Sequence, residues 1–293
     1  MSEKSLNIDM LRGVAVLLVV LSHADAYEMI LPQTQYVLFF KSALGKVGVM
    51  LFFVISGYLI WQSATRCFNK YPHPWQQFAL LRTARIAPLY LAGLLAVCML
   101  SEYFHAAFKP QITLNNLLRH ITFSQDLNPS VARTLNPVLW SLTHEAIFYC
   151  IVPLLFVFST KYSRFFTWLV VGSLGLMVLA ILFPNFVLSN FFKYSILFVV
   201  GILTAKYQYY PSKSLSAVFL ISGLFFTLFS TKQYDFYGYL VIASSIFFLL
   251  LRRGGAGALE IGCATHFSRL NFLLSLYLAL PNSRAFLSHH HSS

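Results

Sequence analysis

The sequence predicts an all-α, polytopic membrane helix bundle of about nine to ten transmembrane helices with a cytoplasmic N-terminus, and three observations carry that prediction. The chain is 58% hydrophobic and only 10% charged, a balance outside the range of soluble domains. Its apolar residues fall into runs of roughly 16 to 21, about the length that crosses a hydrocarbon core. No run has the alternating pattern of an outer-membrane barrel, and a helix is then the way to satisfy every backbone group inside lipid.

The runs lie at 10–26, 47–62, 86–104, 138–158, 166–183, 190–206, 214–231 and 236–251, with a weaker one at 267–280. Placing the N-terminus in the cytoplasm puts Lys4, Arg12, Arg66, Lys70, Arg82, Arg85, Lys161, Arg164, Lys206, Lys213, Arg252 and Arg253 on that side. Lys41, Lys46, Lys109, Arg119, Arg133, Lys193 and Lys232 fall opposite. The excess follows the tendency of basic residues to stay on the cytoplasmic side. Lys4 and Arg12 ahead of a run ending in Ala24-Asp25-Ala26 imitate a secretion signal. His23 interrupts that run, however, and the following spans need an uncleaved first helix to set their orientation.

A net charge of +12 raises nucleic-acid binding, but the basic residues are scattered over short loops with no contiguous patch. No nucleic-acid partner is expected. Cys67, Cys98, Cys150 and Cys263 lack metal-ligand spacing, so they read as small apolar residues and no metal site is expected. There is no internal repeat. The segment 105–137, with Pro110, Pro129 and Pro137, reads as an external loop, and 63–85, with Pro72 and Pro74, as a second polar segment on the cytoplasmic side.

Ionisable groups at membrane depth are costly and mark candidate sites. Asp9, Arg12 and His23 lie in the first run. Eleven residues at 100° each leave Arg12 and His23 about 20° apart on one face, separated by roughly 16 Å along the axis. Arg12 would sit near the cytoplasmic surface and His23 deep toward the other side. Arg12 can be a topology anchor paired with Asp9, and His23 a packing contact or a general base. Arg82 and Arg85 share a face if the third helix begins by Phe78; two guanidinium forks there suit phosphate, or lipid headgroups. Ser141, Glu145 and Tyr149 recur at i,i+4 beside Trp140. Glu145 in lipid needs a partner, as an ion-pair member or as the group that orients a histidine or arginine. Ser56-Gly57 permits a close helix approach.

In order along the chain, four segments resemble the acyltransferase 3 family, membrane-bound O-acyltransferases of sugars and polysaccharides. They are Ile8-Asp9-Met10-Leu11-Arg12-Gly13 running on to His23; Gly48 to Ile60 with Phe52-Phe53-Val54-Ile55-Ser56-Gly57-Tyr58; Arg82-x-x-Arg85 with Pro88-Leu89-Tyr90; and Leu139-Trp140-Ser141-Leu142 with Glu145 and Phe148-Tyr149. The likeness is densest over 6–160 and continues to about 251. Near the end, Ser275-Leu276-Tyr277-Leu278-Ala279-Leu280-Pro281 has Leu280 where the family pattern has histidine, the mark of a divergent or truncated C-terminus. One transmembrane domain over 1–281 is expected, with a tail over 282–293.

The resemblance implies transfer of an acyl group, most often acetyl, from cytoplasmic acyl-CoA to a carbohydrate hydroxyl across a bacterial inner membrane. It implies no bound cofactor; acyl-CoA is the donor substrate, and the subunit number is left open. Carried onto this chain, His23 and Glu145 are the catalytic pair, and Arg12, Arg82 and Arg85 hold acyl-CoA. Asp9, Ser56, Trp140, Ser141 and Tyr149 support them. His23 can act as base or carry the acyl group covalently. The alternatives are an inactive truncated acyltransferase and a transporter or flippase of a lipid-linked sugar, against which stands the lack of two related halves.

Overall fold

The computed structural model describes residues 3–23, 35–99, 111–128, 130–131, 134–135, 140–229 and 235–251. Among these residues the regular elements are all helical. They are α1 (Glu3–His23), α2 (Gln35–Lys70), α3 (Pro74–Met99), α4 (Leu114–Ile121), α5 (Trp140–Lys161), α6 (Phe165–Leu182), α7 (Ser189–Tyr207), α8 (Lys213–Phe229) and α9 (Asp235–Leu251), with a 3-10 turn at Gln125–Leu127. The chain is thus an all-α membrane bundle in which each of the first eight expected runs corresponds to a helix. The expected span 267–280, the divergent segment Ser275–Pro281 and the tail lie outside the described residues. Four segments are long and apolar enough to cross a membrane, namely Phe39–Lys70, Pro74–Met99, Trp140–Lys161 and Phe165–Leu182; the shorter Lys213–Phe229 and Phe236–Leu251 are also apolar.

Helix α2 is the axis of the bundle. It packs on α7 and α1 most extensively, and also on α9, α3 and α5. Leu51, Val54, Tyr58, Ile60, Ala64 and Cys67 are fully enclosed along it. The α2–α7 crossing is a backbone contact. A Cβ added at Gly57 would fall onto the Phe198 carbonyl, and one at Gly201 onto the Val54 carbonyl and the Tyr58 amide. Small residues at such crossings let helices gain dispersion contact where lipid supplies no hydrophobic drive. Beside the crossing, Phe148 of α5 stacks on Phe198 with centroids 3.7 Å apart, and Phe53 lies 5.1 Å from Phe198. On the periphery, α6 and α8 leave Trp168, Val171, Leu182, Ile221, Phe225 and Leu228 exposed, the pattern of helices solvated by acyl chains.

At two places the helices extend beyond the apolar runs. The apolar run 47–62 is only the middle of α2, whose 36 residues take in Lys41 and Lys46 at one end and Arg66 and Lys70 at the other. The polar segment 63–85 is mostly helical; only 71–73 interrupts the helices, and Pro74 starts α3, since proline is tolerated in a first turn where its missing N–H has no partner to lose. Polarity ends the apolar runs at these places, but long charged side chains at helix ends reach water while their backbone stays helical.

The segment 105–137 also contains structure. Thr113 caps α4, its Oγ1 accepting from the Asn116 amide at 3.2 Å. The Asn116 side chain donates to the Gln111 carbonyl at 2.8 Å, and the Gln111 amide to the Thr134 carbonyl at 2.9 Å, closing the segment on itself. Tyr90 of α3 donates to the His120 carbonyl at 2.9 Å, and its ring lies 4.5 Å from Phe123. The polar face of α4, Asn116 and His120, points inward while Leu114, Leu118 and Ile121 are exposed, an orientation suited to a helix lying on the bilayer interface.

Gly57→Ala should destabilise the chain by about 1–3 kcal/mol, because backbone atoms that cannot rotate away stand in the added methyl's place. Gly93→Ala, with nothing near its Cβ position, should be neutral or stabilising by up to about 1 kcal/mol. Thermal unfolding of the two detergent-solubilised variants checks this, and equal melting temperatures would refute it. Burial holds His120 below the usual histidine range around 6.5. The unfolded segment therefore binds the proton better, and the segment's stability, complete well above pH 6.5, declines as pH falls through that value toward the depressed folded one. Hydrogen exchange at residues 117–120, corrected for intrinsic rates, should accelerate on going from about pH 7.5 to pH 5. In His120→Asn that pH dependence should vanish.

Candidate functional site

The first turns of α3 set an arginine pair against α2 and α5. Because α3 begins at Pro74, Arg82 and Arg85 share a helical face, yet they are not equivalent: Arg82 is 8% exposed, whereas Arg85 is exposed. The Arg82 guanidinium lies 5.7 Å from the Phe78 ring and 5.8 Å from the Tyr149 ring. Its Nη2 donates to the Leu59 carbonyl of α2 at 3.3 Å, while Nε and Nη1 have no hydrogen-bond partner among the described residues. Unpaired N–H groups on a buried cation cost on the order of 1–3 kcal/mol or more. The planar fork thus lies in an aromatic slot with two donors unoccupied.

The carboxylate faces the same region from α5. Glu145 Oε1 accepts from Tyr149 at 2.6 Å and from Ser56 of α2 at 3.2 Å. The i,i+4 spacing of Glu145 and Tyr149 is therefore a real contact, and Ser56 reaches the carboxylate because its neighbour Gly57 lies at the α2–α7 crossing. Ser141 stands one turn before Glu145 on α5. Arg12 of α1 pairs with Asp9, Nη1 to Oδ1 3.1 Å, at a half-exposed position. Arg12 also lies within electrostatic range of Arg85 and Glu145, and Arg82 within range of Tyr149, Arg85 and Glu145. Three helices thus gather three guanidiniums against two carboxylates, Glu145 and Asp9, leaving an excess of one positive charge that favours an anionic ligand.

Helix α1 is unbroken from Glu3 to His23, so the helical register that aligns positions 12 and 23 is realised in the backbone. The His23 side chain lies outside the described residues. Trp140 is not joined to the arginines. It belongs to an aromatic cluster in the next layer of the bundle, 6.2 Å from Phe53, 5.4 Å from His144 and 5.5 Å from Tyr194.

Sequence reasoning missed the Leu59 carbonyl, the Phe78 platform and His144. The last is 1% exposed, with Nδ1 3.3 Å from the Trp140 carbonyl and Nε2 3.6 Å from Asp126 Oδ2. The Asp126 amide donates to Thr143 Oγ1 at 3.4 Å, so Thr143 and His144 dock the 3-10 turn onto α5. The i,i+4 spacing from Trp140 could have placed His144 in the aromatic cluster, but nothing local reveals Asp126. Among the described residues, no three His, Cys, Asp or Glu side chains converge as a metal site. A cavity of about 550 Å³ between the end of α6 and the start of α7, lined by Leu179, Leu182, Phe183, Pro184, Asn185, Phe186 and Phe192, lacks titratable groups and is a lipid-facing recess.

No curated protein and no solved structure gives a significant match. Residues 5–283 match the acyltransferase 3 family, described as an acyltransferase domain, and the match runs past residue 251, where the motif likeness thins. With four helices long and apolar enough to span a bilayer and a match over nearly its whole length, the chain is a membrane protein that belongs to the acyltransferase 3 family.

Proposed function

We propose that this acyltransferase moves an acyl group, acetyl above all, from cytoplasmic acyl-CoA to a hydroxyl of a cell-surface or exported carbohydrate, working in a bacterial inner membrane. The observation that carries the reading is the Arg82 guanidinium, buried in an aromatic slot with two donors unsatisfied and with Arg85 and Arg12 nearby. The unpaired N–H groups would donate to CoA phosphate oxygens along different edges of the guanidinium, directional contacts that a planar group makes and a point charge does not. Exposed Arg85 and half-exposed Arg12 would meet the remaining phosphate charge at the mouth. The pantetheine arm would then rise along the α1 face that leads from position 12 to position 23, roughly 16 Å further along the axis.

At that level His23 would take the proton from the acceptor hydroxyl as its oxygen attacks the thioester carbonyl. The carbon–sulfur bond breaks, the acyl group leaves as the ester, and the departing thiolate takes up a proton to give free CoA. A positioned base contributes about 10²–10⁴-fold. Glu145, held by Ser56 and Tyr149, balances the guanidinium charge when the donor is absent and fixes its placement when it arrives.

The test is label transfer from radiolabelled acetyl-CoA to extracted polysaccharide in membrane vesicles, with the wild-type chain and His23→Ala inserted at equal levels. Transfer should disappear in His23→Ala; an active variant would refute the base assignment, and no label from either chain would favour the inactive-acyltransferase or the transporter reading. Arg85→Ala should raise the apparent KM for acetyl-CoA with kcat little changed. Arg82→Lys should raise it by roughly tenfold despite keeping the charge, because the fork is lost. Unaltered acetyl-CoA binding by Arg82→Lys would assign that side chain to lipid headgroups instead.

A further inference from the structure

Toward the start of α2, two lysines converge on one face of α9. Lys193 of α7 places Nζ 4.2 Å from the Phe236 ring, and Lys46 of α2 places Nζ 5.1 Å from the Tyr239 ring. Phe236 and Tyr239 are i,i+3 on α9, so the two ammonium groups stand side by side, within electrostatic range of one another. Neither has a carboxylate partner among the described residues. Lysines near helix ends ordinarily extend their stems toward water and away from like charge. Here exposed Lys46 and half-buried Lys193, from separate helices, each rest on a ring of the same helix. The rings beneath them offset part of the repulsion, but they do not neutralise it.

An aromatic wall adjoins the pair. Tyr194, next to Lys193, lies 5.3 Å from Phe236, 5.5 Å from Trp140 and 5.2 Å from Phe53. Trp140, Tyr194 and Phe236 thus link α5, α7 and α9 around the lysines. Such rings offer flat apolar faces with polar edges, which match the C–H faces and hydroxyl rims of a pyranose. The level is also the right one. A Cβ at Gly45 would press on Ser22 Oγ, so α1 and α2 touch at those positions, and the next residues along each helix are His23 and Lys46.

The geometry points to an acceptor site for an anionic carbohydrate, with Lys46 and Lys193 binding a carboxylate or phosphate on the sugar while the partly exposed Trp140 and Tyr194, backed by Phe236, stack against its ring. This inference rests on the carbohydrate-acyltransferase reading above and names its acceptor class. The charge decides which sugars are taken; the aromatic wall alone would accept neutral ones as well.

The test is equilibrium binding of tri-galacturonic acid, its neutral methyl ester, galactose 1-phosphate and galactose to the purified full chain in phosphatidylcholine nanodiscs. At least one anionic sugar should bind about tenfold tighter than its neutral counterpart at low ionic strength, the preference shrinking as salt screens the pair. In Lys46→Gln/Lys193→Gln the preference should fall to within about twofold with the neutral sugar's affinity unchanged, and Lys46→Arg/Lys193→Arg should retain it. Equal binding of charged and neutral sugars, binding of none, or a preference that survives the double Gln variant would each overturn the proposal. So would its abolition in phosphatidylglycerol nanodiscs, which would make the pair a headgroup site. The wild-type comparison needs no variant to fold. Acetyl transfer is followed in parallel: anion preference without acetyl transfer would refute the acyltransfer reading while leaving the anionic site standing.

Discussion

The backbone contact between α2 and α7 at Gly57 and Gly201 organises the rest of the bundle. With no Cβ on either side, the two helices meet through Val54, Tyr58 and Phe198 main-chain atoms, and everything on α2 is thereby set relative to α7. One residue before the crossing, Ser56 meets Glu145; one turn earlier on the same helix, Phe53 meets Phe198, Trp140 and Tyr194. A side chain at either glycine would separate the helices, loosening the packed aromatic layer and the carboxylate's hydrogen bonds together. In lipid, close approach of this kind replaces much of what hydrophobic burial does in water.

Around that axis the bundle has two chemically distinct regions. Beside the middle of α2 lies a cationic cluster of Arg12, Arg82 and Arg85 with Glu145. Toward the start of α2 lie Lys46, Lys193 and the aromatic wall, with the 3-10 turn held onto α5 through Thr143 and His144. Helix α1 runs past both, and its register places position 12 beside the first and position 23 level with the second. A donor with phosphates at one mouth and an acceptor at the other would meet along α1, which is the geometry that chemistry across a bilayer requires.

Some of this was legible one residue at a time. The i,i+4 pairing of Glu145 with Tyr149, the i,i+3 pairing of Asp9 with Arg12 and the shared face of Arg82 and Arg85 follow from helical periodicity. The Ser56-Gly57 pair announced a close approach, though not its partner on α7. Local polarity misled at Lys41 and Lys46, which are helical, and in 111–128, where Thr113, Asn116 and Gln111 build a capped helix from residues that composition assigns to a loop. Trp140 sits in the same motif as Glu145, yet it belongs to the opposite cluster, because four to five residues of helix are enough to move a side chain from one layer of the bundle to the next.

By itself the sequence determined that this chain lives in a membrane, that its apolar runs are helical, and to which family it belongs. Apolar run length and backbone hydrogen bonding in lipid leave little freedom on those points. Tertiary structure alone decided that Arg82 is buried with two free donors while Arg85 is exposed, that Glu145 is held by Ser56, that Asp126 lies beside His144, and that Lys46 and Lys193 converge on α9. Each depends on how helices distant in the chain cross and rotate against one another, and periodicity along a single helix carries no information about what faces it.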